Sequence, residues 1–327
     1  MPKAIRVHEH GGPDVLNYED VSVPEPGKGE VRVRHSAIGL NFLDCYFRTG
    51  LYPAPNGLPL TPGNEAAGEV VAVGEGVGDL APGDRIAYAG GPIGAYAQER
   101  VMPADRVVKV PDAIADQQAA AMMLKGMTAE YLLRRTFKVK AGDTILFHAA
   151  AGGVGLMLGQ WAKHIGATVI GTAGSADKVE LAKAHGYDHV IDYSKDNFVE
   201  AVNDLTGGKK CDVVYDAVGK DTFQGSLDCV RPLGMLVSFG QSSGPVPPLD
   251  IGILSRKGSL FLTRPTLFTY IAKRQDLVAS ANALFEVVAS GAVTVEVNQH
   301  YPLAEASRAH TDLEARRTTG ATVLVPG

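Results

Sequence analysis

The sequence predicts an α/β chain of two domains, one β-rich and one built on a doubly wound parallel sheet. Three observations carry this reading. The first third is a series of short segments punctuated by Gly and Pro. From residue 143 onward, strand-like and helix-like segments alternate. At 327 residues the chain is also long enough to bury two cores.

In the first third, residues 30–38 (EVRVRHSAI) alternate, with Val31 and Val33 on one face and Arg32 and Arg34 on the other. Further strands are predicted at 67–74, 84–89 and 95–101. Turn signals such as Glu25-Pro26-Gly27 and Pro82-Gly83-Asp84 separate such segments. Many short strands with Gly/Pro turns suggest a barrel-like or sandwich-like domain. Residues 116–135 are rich in Ala, Leu and Met and read as helix, interrupted around Gly126.

The second pattern follows. Strands are predicted at 143–149, 168–172, 189–193, 212–216, 234–239 and 259–263. Helices are predicted at 153–165, 175–185, 195–206 and 220–231, while the Pro/Gly/Ser-rich stretch 240–258 reads as loop with little helix. Strands separated by helices form a parallel sheet, and six of them make a complete Rossmann domain. After Arg264-Pro265 one long helix is predicted to about residue 289. Strands at 293–301 and 321–325 then lack partners in a completed six-stranded sheet, so they are expected to return to the first domain.

Composition narrows the function classes. The chain is 45% hydrophobic and 20% charged, with a formal net charge of -5. A nucleic-acid or membrane-surface partner would favour a basic excess, so neither is expected. The three cysteines, Cys45, Cys211 and Cys229, are far apart and show no CxxC spacing, which favours a reducing compartment. The first residues carry no apolar leader, and no apolar run reaches the length of a membrane span. A cytoplasmic protein is the expectation.

The most informative stretch is DTILFHAAAGGVGLMLGQWAKHIG at 143–166. A strand enters a turn of small residues, and the turn enters an amphipathic helix. Ala150, Gly152 and Gly155 occupy the three spaced positions of a GxGxxG variant. Such a turn lets the backbone of Ala151, Gly152, Gly153 and Val154 approach a pyrophosphate, with the helix N-terminus facing the anion. Dinucleotide binding is therefore expected.

The choice of dinucleotide is made at the end of the second strand. An NAD-binding site usually carries an acid there for the ribose 2′-hydroxyl. Here the chain reads Thr172-Ala173-Gly174-Ser175-Ala176-Asp177-Lys178. Gly174, Ser175 and Lys178 offer backbone N–H, hydroxyl and ammonium to a 2′-phosphate, which favours NADPH. Asp177 fits a helix first turn, and Lys178 also fits a solvated helix surface. Tyr193, after the third strand, is placed to flank the adenosine. The strand ends at 216–219 (DAVG) and 239–244 (FGQSSG) bring Val218, Phe239 and Gly240 to the same edge. Asp216 reads as a helix-capping acid.

The stretches TPGNEAAG (61–68), PGDR (82–85), HAAAGGVG (148–155) and QWAK (160–163) resemble the medium-chain dehydrogenase/reductase superfamily. LNF (40–42), RTGLYP (48–53), VVYDAVG (213–219), SLDC (226–229), VSFGQSSG (237–244) and GSLFLTRP (258–265) resemble its zeta-crystallin-like NADPH:quinone oxidoreductases. The resemblance spans nearly the whole chain. It implies a GroES-like catalytic domain made of residues 1–125 and 266–327, a Rossmann NADPH-binding domain at 126–265, and a homodimer. It further implies that Asn41, Tyr46 and Tyr52 line the pocket near the nicotinamide, and that Asn41, Thr128 and Arg316 lie near the cofactor. Glu130 falls where relatives have an aromatic. No catalytic acid is assigned.

Zinc members of the superfamily place ligands where this chain has Asn41, Asn64 and a residue within Met122-Met123-Leu124-Lys125-Gly126. Amides are poor zinc ligands, so no metal is expected. The chemistry then falls to the hydride donor and an electrophilic acceptor. A small planar quinone suits this. Arg264, after the sixth strand, would neutralise a quinol oxyanion or pair with a surface acid. The alternatives are an NADPH-dependent enone or alkenal reductase and, outside enzymes, an NADPH-binding redox sensor or RNA-binding protein. The acidic balance disfavours RNA.

Overall fold

The computed structural model describes all residues, Met1–Gly327. They form two compact units. One contains residues 1–127, 271–289 and 295–327, and the other contains 128–270 and 290–294.

The first unit is organised on its longest strand. Hairpin strands β1 (Lys3–Arg6) and β2 (Asn17–Asp20) precede β3 (Glu30–Leu40) and the short helix α1 (Phe42–Arg48). Strands β4 (Glu65–Val73), β5 (Arg85–Ala89), β6 (Glu99–Pro103) and β7 (Val108–Lys109) follow, then helix α2 (Asp116–Tyr131). β3 pairs antiparallel with both β4 and β6. Its period-two pattern decides which side faces inward: Val31 and Val33 are fully buried, in a core with Ile5, Val70, Ile86 and Tyr88. Each such side chain contributes about 1.5–3 kcal/mol by leaving water.

Helix α2 is not interrupted at Gly126. A single interior glycine costs about 1 kcal/mol. Here the buried run Ala119–Met123 and Met127 outweighs it. The irregularity lies further on, where Leu132–Thr136 form a π-type turn closed by Phe137 N–H donating to the Leu132 carbonyl at 3.3 Å.

The second unit holds the alternating elements. They are β8 (Thr144–Phe147), α3 (Gly153–Ile165), β9 (Thr168–Ala173), α4 (Ala176–Ala184), β10 (His189–Asp192), α5 (Phe198–Leu205), β11 (Cys211–Asp216), α6 (Phe223–Cys229), β12 (Val230–Ser238), α7 (Gly252–Arg256), β13 (Phe261–Thr263) and α8 (Leu267–Tyr270). The six strands are all parallel in the order β10-β9-β8-β11-β12-β13. Order reverses between β8 and β11, and ligands of such sheets bind outside the strand carboxyl ends at that switch point. The segment 240–258 is loop with little helix, as expected; its one helix is the five-residue α7. Asp250 sets it, accepting from Gly252 N–H at 2.9 Å and from Arg256.

The long helix expected after Pro265 is two helices, α8 and then α9 (Arg274–Ala289), with a break at 271–273. There the buried side chain of Ile271 and the Arg106 guanidinium on the 271 and 272 carbonyls replace helical bonding. Strand β14 (Val297–Pro302), helix α10 (Ala306–Glu314) and strand β15 (Ala321–Val325) complete the chain. β15 pairs with β3, so the terminal strands join the first unit's seven-stranded sheet. No helix is long and apolar enough to cross a membrane.

Candidate active site

In the Rossmann unit, residues 151–154 follow the carboxyl end of β8, Gly174, Ser175 and Lys178 that of β9, Tyr193 that of β10, Val218 that of β11, and Phe239 and Gly240 that of β12, whereas Thr128 lies on α2. Ala151 and Gly152 end the turn after β8, and Gly153 and Val154 begin α3. Ala149 adopts φ +61°, which turns the chain off the strand, and Ala150 N–H donates to the Thr172 carbonyl at 3.0 Å. A Cβ on Gly155 would stand 2.5 Å from the Ala150 carbonyl oxygen, so only glycine lets α3 start this close to the turn. Gly152 caps the helix with no side-chain bond, and no acid stands in its first turn. The first amides of a helix have no intrahelical acceptor. They fit an anionic pyrophosphate.

Beside them β9 ends at Ala173. Ser175 is the N-cap of α4 by backbone geometry, yet its hydroxyl makes no capping bond. It is exposed, while Lys178, in the helix's first turn, is half-buried. Asp192 is in register with Ala173. Its Oδ1 accepts from Ser194 N–H and Oγ–H, and Lys195 pairs with Oδ2, which together hold the carboxyl below its usual range. Tyr193 is 44% exposed and lies over Gly174, where a Cβ would meet its hydroxyl at 2.5 Å. This arrangement fits a 2′-phosphate with an adenine beside it.

Asp216 does not cap α6, whose N-cap is Thr222; it braces the turn that precedes that helix. Its Oδ1 accepts from Val218 N–H at 2.8 Å, Gly219 N–H at 2.9 Å and the Thr222 hydroxyl, and its Oδ2 accepts from Ser226 Oγ at 2.7 Å. That organises the turn carrying Val218. Phe239 and Gly240 N–H groups donate back to the Asp216 carbonyl. Arg264 pairs with no acid. Its guanidinium donates to the Ser238 carbonyl at 2.9 Å, which corrects the surface-pair expectation. Thr128, of this unit, is buried, whereas Arg316, of the other, is exposed with φ +58°.

In the β-rich unit, Asn41 caps α1. Its N–H donates to Asp44 Oδ2 at 2.9 Å and its Nδ2 donates to Glu65 Oε1 at 2.8 Å. Tyr46 and Tyr52 are half-buried, with ring centroids 5.3 Å apart. Two groups that sequence reasoning missed stand behind Asn41. Glu65, fully buried, also accepts from Lys125 Nζ and from Leu124 N–H at 2.6 Å. Asp44, fully buried, also accepts from Asn64 Nδ2 at 3.0 Å and from Tyr96 Oη at 3.1 Å. Burial raises its carboxyl to about 6, against the lowering by the bonds from Asn64, Asn41 and Tyr96. The missed signal was a Lys inside the apolar run AAAMMLKGM, since a charge there needs a buried partner.

These residues do not suit a zinc ion. Asn41 and Asn64 turn their amide N–H groups toward carboxylates, and Lys125 brings an ammonium to the stretch where a third ligand would stand. No group of three or more His, Cys, Asp or Glu side chains is placed to hold a metal.

Two families match this chain. The alcohol dehydrogenase GroES-like domain family matches residues 27–112, and the zinc-binding dehydrogenase family matches 153–286. A quinone oxidoreductase of Pseudomonas aeruginosa is 56% identical over the full length of both chains. A 2-haloacrylate reductase of Burkholderia sp is 46% identical, covering 100% of this chain and 99% of its own. The crystal structure of Escherichia coli quinone oxidoreductase complexed with NADPH superposes with a TM-score of 0.97 at 48% identity, covering 99% of this chain and 100% of that one. The chain belongs to the quinone oxidoreductase family of the medium-chain dehydrogenase/reductases.

Proposed function

We propose that this protein reduces quinones with NADPH and without a metal. The observation that carries the reading is the donor chemistry around Asn41, Asn64 and Lys125: the site offers N–H donors and an ammonium in place of ligands. An acceptor there must bring its own electrophilicity, as a quinone does.

Residues 151–154 would hold the pyrophosphate, Gly174, Ser175 and Lys178 the 2′-phosphate, and Tyr193 the adenine. Val218, Phe239 and Gly240 would add to these cofactor contacts, and the family resemblance assigns Asn41, Thr128 and Arg316 to the cofactor as well. When bound, NADPH supplies a hydride from its C4 position. Asn41, Tyr46, Tyr52 and Arg264 would then position the acceptor, the tyrosines giving flat area and hydroxyl tips to a planar ring.

The identity to a 2-haloacrylate reductase supports a second reading, reduction of an activated C=C bond. NADPH oxidation measured with 1,4-benzoquinone, 9,10-phenanthrenequinone, a small enone and 2-chloroacrylate, each corrected for uncatalysed reaction, separates the two. The quinones are expected to give the highest kcat/KM; a higher value for the enone or the haloacrylate overturns the quinone assignment.

The working unit is proposed to be a homodimer. β13 is an edge strand paired only with β12, and Phe261 on it is 58% exposed. Such an edge is commonly covered by another strand. Three free, buried thiols fit a cytoplasmic setting.

A further inference from the structure

We propose that Lys125 is a catalytic residue whose ammonium meets the acceptor oxygen and stabilises the negative charge that reduction places there. This rests on the reading of the chain as a quinone reductase.

The chemistry sets the requirement. The acceptor gains two electrons and one hydrogen nucleus from the cofactor's C4–H bond, leaving the cofactor oxidised. It becomes a monoanion with its charge on oxygen, and one proton from solvent completes the quinol. The oxyanion needs a preorganised cation or hydrogen-bond donors at the moment it forms. In a zinc enzyme the metal serves that end. The residues here do not suit zinc, so a side chain must supply the charge.

Lys125 answers this requirement on two independent observations. Its side chain is 7% exposed, yet Glu65 is its one hydrogen-bond partner. A lysine ammonium has three N–H donors, so two find no acceptor within the protein. Buried donors are seldom left so, and an unmet pair marks a place for an incoming oxygen. The second observation is position. Lys125 Nζ and Asn41 Nδ2 donate to the same oxygen, Glu65 Oε1, so the ammonium sits beside the amide expected to line the acceptor pocket. Glu65 has no capacity to turn away, because Leu124 N–H holds its other oxygen. The carboxylate holds the Lys125 ammonium in place.

A buried ion pair of purely structural value is the competing account, and variants of the full-length protein separate them. Lys125→Met removes the charge but strands Glu65. The double variant Glu65→Gln/Lys125→Met removes both charges and tests whether the pair matters only for folding, which circular dichroism and melting monitor. Binding to the NADP⁺-saturated protein is read by calorimetry with two probes. These are 2-hydroxy-1,4-naphthoquinone, an oxyanion at neutral pH, and neutral 1,4-naphthoquinone.

Both variants are expected to lose about tenfold or more in affinity for the anion and to hold the neutral probe within about twofold. Their kcat for quinone is expected to fall by about thirtyfold or more, and Lys125→Arg to recover part of it. Unchanged anion affinity in Lys125→Met, or a folded double variant with native kcat, overturns the proposal. If the unaltered protein fails to turn over quinones while losing anion affinity on Lys125→Met, the Lys125 assignment stands and the quinone reading falls.

Discussion

Tyr96 donates its hydroxyl hydrogen to Asp44 at 3.1 Å while accepting one from His310 Nε2 at 3.0 Å. The direction is fixed from the far end. Arg48 can only donate, so His310 Nδ1 accepts from it at 3.0 Å and the ring proton sits on Nε2. The chain of bonds thus ends on the carboxylate that receives the Asn41 N–H.

Removing the middle link should be costly. Tyr96→Phe leaves the His310 N–H without an acceptor and takes one donor from Asp44, all inside the core. A loss of about 1–3 kcal/mol in unfolding free energy is expected from urea denaturation. Quinone KM should rise less than stability falls, because the Asn41 N–H keeps its own bond to Asp44. A change below about 0.5 kcal/mol would show that the hydroxyl is not engaged as described.

Acid should destabilise the protein through its buried histidines. Burial lowers His35 to about 4, against the raising by its bond to the Ala97 carbonyl, and burial lowers His310 to about 3, with Arg48 adding to it. The folded state keeps both neutral, whereas the unfolded chain protonates them near 6.5. Stability is therefore lost as pH falls from about 6.5 toward 4, by up to about 1.4 kcal/mol per pH unit for each ring. Asp44 acts oppositely: its raised value favours the folded state as pH falls through about 6. Two rings against one carboxyl leave a net loss. Melting temperature should fall between pH 7 and 5, and His35→Gln should flatten the curve.

Two glycines on the cofactor edge should respond differently to alanine. At Gly155 the added carbon meets the backbone oxygens of Ala149 and Ala150, at 2.6 and 2.5 Å, which have nowhere to go. NADPH affinity there should drop by about tenfold or more. At Gly174 the obstacle is the tip of Tyr193, 44% exposed and able to swing outward. The loss should stay within about threefold. Direct NADPH titration of both variants measures the contrast, and equal losses would contradict it.

Lys178→Glu should raise KM for NADPH by about tenfold or more and spare NADH, since an acid at this point repels only the phosphate. Equal effects on both coenzymes would move the phosphate site elsewhere.

What the sequence revealed, and what it hid, divides by range. The turn from Phe147 to Gly155 is local, so small residues between a strand and a helix reveal it. The return of residues 321–325 to β3 was also legible, because a completed sheet left them unpartnered. Lys125 with Glu65, and Asp44 with Tyr96 and His310, are separated by 60, 52 and 214 positions along the bonds that join them. No periodicity encodes such pairs, and only tertiary packing brings them together. Helix α2 shows the same limit in reverse, where burial overrode the local signal at Gly126.

The most direct test is kcat/KM for NADPH and for NADH, measured with saturating 9,10-phenanthrenequinone and corrected for uncatalysed reduction. The account predicts quinone-dependent turnover with NADPH favoured by about tenfold or more. No turnover above background, or a preference for NADH, would contradict it.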